Sequence, residues 1–180
     1  MKKDGTFIGK KNVRFSENEC KKIKKIALCL ASLFPDKKYF IIKKENFTSP
    51  DNTLDVMSHT IDVIIPLISK NKKIHYKYGS TYFIEGASKI VLHFTNKMGK
   101  GADGIEKKQA DCYMSFHGIW EREFRHKLKY IYSRNPHFGY GYSVDTIWSE
   151  MILPCLKIFY NDLGKVFGMS GNIPDKYDIK

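Results

Sequence analysis

The stretch "SKIVLHFTNKMGKGADG" (residues 88–104) decides the fold, because a strand-like run leads directly into three glycines. Its first eight residues are rich in β-branched and aromatic side chains, the composition typical of a strand. The glycines at 99, 101 and 104 fit the spacing G-x-G-x-x-G, which in dinucleotide-binding folds joins a strand to a helix. The run before this loop is therefore interpreted as a strand, and the chain after it as a helical C-terminal half.

The context of the glycine loop does not support a dinucleotide site. Such a fold needs an acidic residue about 20 residues further on, and the residue at that place is Phe124. The P-loop pattern G-x-x-x-x-G-K-[ST] is also absent. We therefore predict a flexible connector. It could hold one phosphate at the N-terminus of the following helix, through Lys97, Gly99, Lys100 and Gly101.

The segments before the loop predict a small antiparallel sheet. "KIHYKY" (73–78) and "TYFIEG" (81–86) precede "SKIVLHFT", and glycine-containing breaks separate the three runs, as in a meander over about 73–95. "KKYFIIKK" (37–44) predicts a further strand, and "TFIG" and "NVRF" predict two short strands near the N-terminus.

Four segments predict helices. Ser16 and Glu19 form a capping box that opens a helix ending at about Phe34 before Pro35. Apolar residues at helical spacing predict further helices over 54–70, 105–134 and 144–167, the last interrupted by Pro154. The sequence thus predicts a single α+β domain (1–180): the meander and the N-terminal strands pack against four helices, with a helical C-terminal half.

Composition restricts the environment of the chain. No apolar run approaches the ~20 residues of a membrane span, and no apolar segment follows the N-terminal lysines as in a secretory signal. We expect no membrane partner and an intracellular, cytoplasmic location, or a virion if a phage encodes the protein. The four cysteines have no C-x-x-C spacing, so we expect reduced, partly buried thiols and no metal site.

Positive charge is concentrated at the start of the chain. Of the net charge of +12, residues 1–50 carry +8, from 13 basic and 5 acidic residues. Only four basic residues are arginine, the side chain that reads bases and clamps phosphates. We therefore predict contact with an anionic partner that is not sequence-specific, through the lysines of the first helix, Lys21, Lys22, Lys24 and Lys25.

A second candidate surface interleaves basic and aromatic residues between 120 and 142. Aromatic platforms in a basic groove suit single-stranded nucleic acid, and the same residue types are enriched in protein interfaces. A half-buried, half-solvated face with no partner is the third interpretation. The candidate residues are Arg122, Arg125, Lys129, Tyr130, Tyr132, Arg134, Tyr140 and Tyr142.

One short element points to chemistry. His93 and Thr95 fit the His-x-Thr element of two-histidine phosphodiesterases, which the segment resembles locally. Those enzymes use two such elements, and no other histidine here is followed by threonine at that spacing. No nucleophile elbow or other complete catalytic set is present.

Two functions remain open from the sequence. The first is a non-enzymatic, phage-like subunit or adaptor of an assembly, with protein partners or further copies of itself, and with non-specific nucleic-acid contact. The alternative is a phosphoesterase, a nuclease or a cyclic-nucleotide phosphodiesterase, that uses His93 and the Gly99–Gly104 loop. We expect no cofactor in either case.

Overall fold

The computed structural model describes residues 13–47, 56–68, 73–76, 79–83, 88–100, 103–104, 106–117, 119–120 and 144–177. Helix α1 is Glu17–Ser32, and seven strands follow: β1 Phe40–Phe47, β2 Val56–Pro66, β3 Lys73–Tyr76, β4 Gly79–Phe83, β5 Lys89–Lys100, β6 Glu106–His117 and β7 Ile119–Trp120. A second helical stretch comprises α2 Val144–Ile147, a π turn Trp148–Ile152 and α3 Leu153–Asp162, followed by a 3₁₀ turn Gly164–Phe167.

The strands form two antiparallel sheets, so the chain has the predicted α+β class. The larger sheet has the order β1-β2-β5-β6, and the smaller has the order β3-β4-β7. The predicted meander is wrong in one respect: β4 pairs with β7, whereas β5 pairs with β2 and β6. The hairpin β3–β4 is thus inserted between two neighbouring strands of the larger sheet.

Two of the four predicted helices are strands where the structure describes them. Residues 56–66 form β2, in which His59, Ile61, Val63 and Ile65 are buried and the residues between them are half-exposed. This period of two, with a β-branched run, favours a strand over the helical spacing also present there. The predicted helix 105–134 is β6 over 106–117, in which Cys112 and Met114 are buried and Tyr113 between them is exposed, the same alternation.

The described residues contain no strand before α1, although the sequence predicts two short strands there. "TFIG" lies outside the described residues, and residues 13–15 of the second run have no strand structure. Val13 and Phe15 are nevertheless buried, because this segment leads into the cap of α1. Ser16 accepts from the Glu19 amide at 3.1 Å, and the Glu19 carboxylate accepts from the Ser16 amide at 3.0 Å, as the capping box predicts.

The core lies on one face of the larger sheet. This inner face is defined by Ile61, Val63, Ile65, Ile90, Leu92, Phe94, Cys112 and Met114, and the buried side chains of α1 and of the C-terminal helical stretch join the same cluster. Phe116 stacks on Phe159 at 4.9 Å between ring centroids. The opposite, outer face holds the alternate residues of each strand.

Pro154 is accommodated inside the C-terminal helical stretch. Proline has no N–H to donate to the carbonyl four residues before it. The π turn directly precedes it, and the Leu153 amide donates to the Trp148 carbonyl five residues back. The stretch therefore continues through the proline. Trp148 is buried, and its Nε1 donates to the Pro174 carbonyl at 2.9 Å, which fixes the irregular C-terminal segment.

Two glycines with positive φ allow a matched test of packing. Gly168 has φ +69°, and a Cβ there would lie 2.8 Å from Cγ of Pro35. Gly104 has φ +73°, and no atom of the described residues would lie within 4 Å of a Cβ there. We expect Gly104→Ala to cost about 1–2 kcal/mol of unfolding free energy from the backbone alone. Gly168→Ala should cost about 1–3 kcal/mol more because of the overpacking.

Urea denaturation of the two variants and the parent protein measures the difference. Equal losses at both positions would contradict the contact between Gly168 and Pro35.

Candidate functional site

The candidate site is a row of side chains across the outer face of the larger sheet. Antiparallel pairing aligns Ile42 with Asp62, Asp62 with His93, and His93 with Tyr113. Residues paired in this way project their side chains to the same side of the sheet, about 5 Å apart from strand to strand. One row therefore carries an acid, an imidazole and a phenol on three neighbouring strands.

Asp62 and His93 are in direct contact. The Asp62 carboxylate Oδ1 accepts a hydrogen bond from His93 Nδ1. Since a carboxylate only accepts, Nδ1 carries the proton and Nε2 is left for another partner. The side chains are 30% and 28% exposed, so a ligand can reach them from solvent. A carboxylate that fixes the tautomer and orientation of an imidazole is the arrangement used in general-base catalysis.

Tyr113 completes the row on the edge strand β6. Its ring centroid lies 4.8 Å from that of His93, with a tilt of 37° between the planes. The side chain is 45% exposed. An exposed aromatic ring beside a polar group can stack on a base, and its hydroxyl can donate a proton or a hydrogen bond.

A second histidine lies further along β6. His117 Nε2 is 2.9 Å from Ser115 Oγ, and His117 pairs with Lys89, four residues before His93 on β5. Four residues of strand span about 14 Å. The two imidazoles therefore do not meet at one phosphorus atom, and the two-histidine arrangement that His93 and Thr95 resemble is not formed by this pair.

Lysines surround the row on the outer face. Lys89 and Lys97 lie four residues before and after His93 on β5, and Lys44 pairs with Thr60 one row away. Thr95 is two residues after His93 and therefore projects to the same face. The positive charge near the row gives an anion an electrostatic attraction to this face.

The predicted phosphate loop is not the start of a helix. Lys97, Gly99 and Lys100 belong to β5, Gly101 lies outside the described residues, and β6 begins at Glu106. Gly99 thus lies at the end of a strand, and Gly104, between β5 and β6, takes the left-handed conformation. The predicted helix after the loop is therefore wrong over 106–117, which forms β6, and the phosphate site through Lys97, Gly99, Lys100 and Gly101 stays a prediction.

The predicted lysines of the first helix are where the sequence places them. Lys21, Lys24 and Lys25 are exposed on α1 and Lys22 is half-exposed. Since α1 packs on the inner face, these lysines lie on the opposite side of the sheet from His93. The predicted residues of the segment 122–142 lie outside the described residues.

Sequence reasoning missed Asp62 and Tyr113, because both were assigned to helices. The signal that identifies Asp62 is the alternation of β2, which places an acid between buried Ile61 and Val63. Pairing of β2 with β5 then brings the acid to His93.

The cysteines are the other reactive side chains of the chain that are candidates for a catalytic or metal site. None of the four cysteines forms a disulfide, as the sequence predicts, and Cys112 and Cys155 are fully buried. Burial raises the pKa of Cys29 to about 11, so its thiol is not a nucleophile near neutral pH. Within the described ranges, no three His, Cys, Asp or Glu side chains converge as metal ligands.

Comparison of the chain with protein-family models, with curated proteins and with solved structures finds no match. Among the described residues, no helix combines the length and the apolar character needed to cross a membrane.

His59 has a structural role that distinguishes it from His93. It is 5% exposed on the inner face, and its Nδ1 accepts a hydrogen bond from the Phe15 amide at 2.9 Å. Burial lowers the pKa of His59, Lys43 and Arg14 act in the same direction, and Glu45 opposes them. Neutral His59 is thus the form that the fold stabilises.

We expect the protein to lose stability as pH falls through the ordinary histidine pKa of about 6.5. Below this pH the unfolded chain binds a proton at His59 that the folded chain resists, so the stability present above pH 6.5 declines. His59→Asn, whose Oδ1 can replace Nδ1 as the acceptor, should show a smaller decline between pH 7.5 and 5.5.

Thermal melts at several pH values measure how the stability of the parent protein and of each variant changes with pH. His59→Leu leaves the Phe15 amide unpaired and should be less stable than His59→Asn even at pH 8. An unchanged pH slope in both variants would contradict the assignment.

Proposed function

We propose that the outer face of the larger sheet acts on phosphodiesters of nucleic acid, with His93 as the general base. The observation that carries the proposal is the Asp62–His93–Tyr113 row on an accessible sheet face. It supports the phosphoesterase interpretation of the sequence and replaces the glycine loop with Asp62 and Tyr113. The lysines of this face would attract the phosphate backbone.

The arrangement suits cleavage of RNA by its own 2′-hydroxyl. His93 Nε2 accepts the proton of the 2′-hydroxyl, and that oxygen attacks the adjacent phosphorus. The bond to the 5′-oxygen breaks, and the departing oxygen takes a proton from the Tyr113 hydroxyl or from water. The products are a 2′,3′-cyclic phosphate and a free 5′-hydroxyl, and Asp62 stabilises the imidazolium formed in the first step.

A non-enzymatic binding role is the second candidate. The exposed lysines of α1 favour it, because they form a positively charged helix face without arginine. Such a surface would let a subunit or adaptor contact a nucleic-acid backbone or an acidic protein without reading sequence. Binding to a labelled DNA oligonucleotide that weakens steeply with salt, with no cleavage of RNA, would support this role over the catalytic one.

We expect the protein to cleave a fluorescent RNA oligonucleotide and to leave the same sequence intact when the scissile ribose is 2′-deoxy. His93→Ala should lower kcat at least ~100-fold, the usual contribution of a general base. Asp62→Asn should lower it about 10- to 100-fold, the size of one charge-assisted hydrogen bond.

His117→Ala is the matched control, since it removes an imidazole from the same face about 14 Å away and should keep the parent rate. Equal cleavage by the parent protein and His93→Ala would sink the proposal.

A further inference from the structure

A groove lies between α1 and the edge strand β1, on the side of the sheet opposite to His93. Its volume is about 200 Å³. Ile23, Ile41 and Ile61 form an apolar floor, and Lys21, Lys24 and Lys43 stand around it together with Glu17 and Cys20. The groove thus combines an apolar bottom with a positively charged rim.

The size of the groove indicates the kind of occupant. Pockets for drug-sized ligands and cofactors usually measure about 300–1,000 Å³. A space of about 200 Å³ is smaller, and suits the insertion of one aliphatic side chain. An anchor residue from a peptide segment fits this description better than a nucleotide.

The strand beside the groove can accept another strand. β1 is the first strand in the order β1-β2-β5-β6 and pairs with β2 on one side; among the described residues, no strand pairs with its other side. An edge strand presents unpaired amides and carbonyls to any extended chain. On the outer face of β1, Phe40 and Ile42 are 56% and 55% exposed, which adds apolar surface along the same edge.

The charge around the groove indicates what kind of partner segment it can bind. Three lysines and one glutamate surround the groove, and the Glu17 carboxylate lies 3.1 Å from Lys21 Nζ. The rim is therefore positive on balance. Lysines on an edge discourage pairing with like edges, but they attract an acidic strand. The chain's own residues 1–12 carry four lysines and one aspartate and do not complement such a rim.

We propose that β1 and this groove bind an extended, acidic segment of a partner protein by strand addition. The segment hydrogen-bonds to the free edge of β1, places one aliphatic side chain on Ile41 and Ile61, and directs flanking carboxylates to Lys24 and Lys43. Main-chain bonds supply affinity in this mode, and the pocket and charges supply specificity. This binding function is separate from the chemistry proposed for the outer face.

Fluorescence anisotropy with a labelled heptapeptide, Thr-Glu-Thr-Leu-Thr-Glu-Thr, tests the proposal. Alternation places its two glutamates and its leucine on one face of the strand. We expect salt-sensitive binding to the full-length protein, and a loss of at least ~10-fold in affinity, about 1.4 kcal/mol, for Lys24→Glu/Lys43→Glu.

The matched control is Lys25→Glu/Lys38→Glu, with the same change of charge on exposed residues of α1 and of the segment before β1 that do not line the groove. It should retain the parent affinity within about twofold, since scattered exposed charges contribute little. Equal weakening in both double variants would overturn the proposal, because it would show attraction to net charge alone.

Two modified peptides test the geometry. Methylation of alternate backbone nitrogens should abolish binding if the segment adds as a strand, and replacement of both glutamates by lysine should abolish it through charge. Unchanged binding of either peptide, or no binding of the parent peptide, would overturn the proposal. Sedimentation that shows a dimer dissociated by Lys24→Glu/Lys43→Glu would also overturn it, in favour of a second copy of this chain.

Discussion

The pairing of β2 with β5 is the constraint on which both faces of the larger sheet depend. Its register opposes Ile61 to Phe94, Val63 to Leu92 and Ile65 to Ile90, which fills the inner face with apolar side chains. The same register necessarily opposes Asp62 to His93 on the outer face. A shift of β2 by one residue would turn its apolar side chains outward and Asp62 inward, away from His93, so core packing holds the candidate site in place.

This dependence on strand register explains which elements of the fold could be predicted from the sequence. The capping box of α1, strand β1 and the C-terminal helical stretch were predictable, because each has a local signal in Ser16 and Glu19, in "YFII" or in continuous apolar spacing. Strand β2 was predicted as a helix, since Ile61, Ile64 and Ile65 fit helical spacing and strand alternation alike. The β-branched run over 60–65 is the signal that distinguishes the two, and Pro66 ends the strand.

Of the row Asp62, His93 and Tyr113, only His93 could be predicted from the sequence. His93 was identified from its own strand and from Thr95, but its partners lie 31 residues before it and 20 residues after it. Contacts at such separations follow from strand order and register, which no local pattern in a single sequence specifies. The glycine spacing was misleading because Gly99 and Gly104 are compatible with a β-hairpin as well as with a phosphate loop. Only the strand that follows them distinguishes the two interpretations.

The inner and outer faces place histidine under opposite physical demands. On the inner face the apolar rows end at His59 and Asn96, which oppose each other in the register and are both buried. There an imidazole is useful as a neutral acceptor for the Phe15 amide, and burial lowers its pKa. On the outer face His93 donates a hydrogen bond to the Asp62 carboxylate and remains partly exposed, so its Nε2 is accessible to a ligand. The alternation of a single sheet thus separates His59, a buried histidine that supports the fold, from His93, an accessible histidine that a ligand can contact.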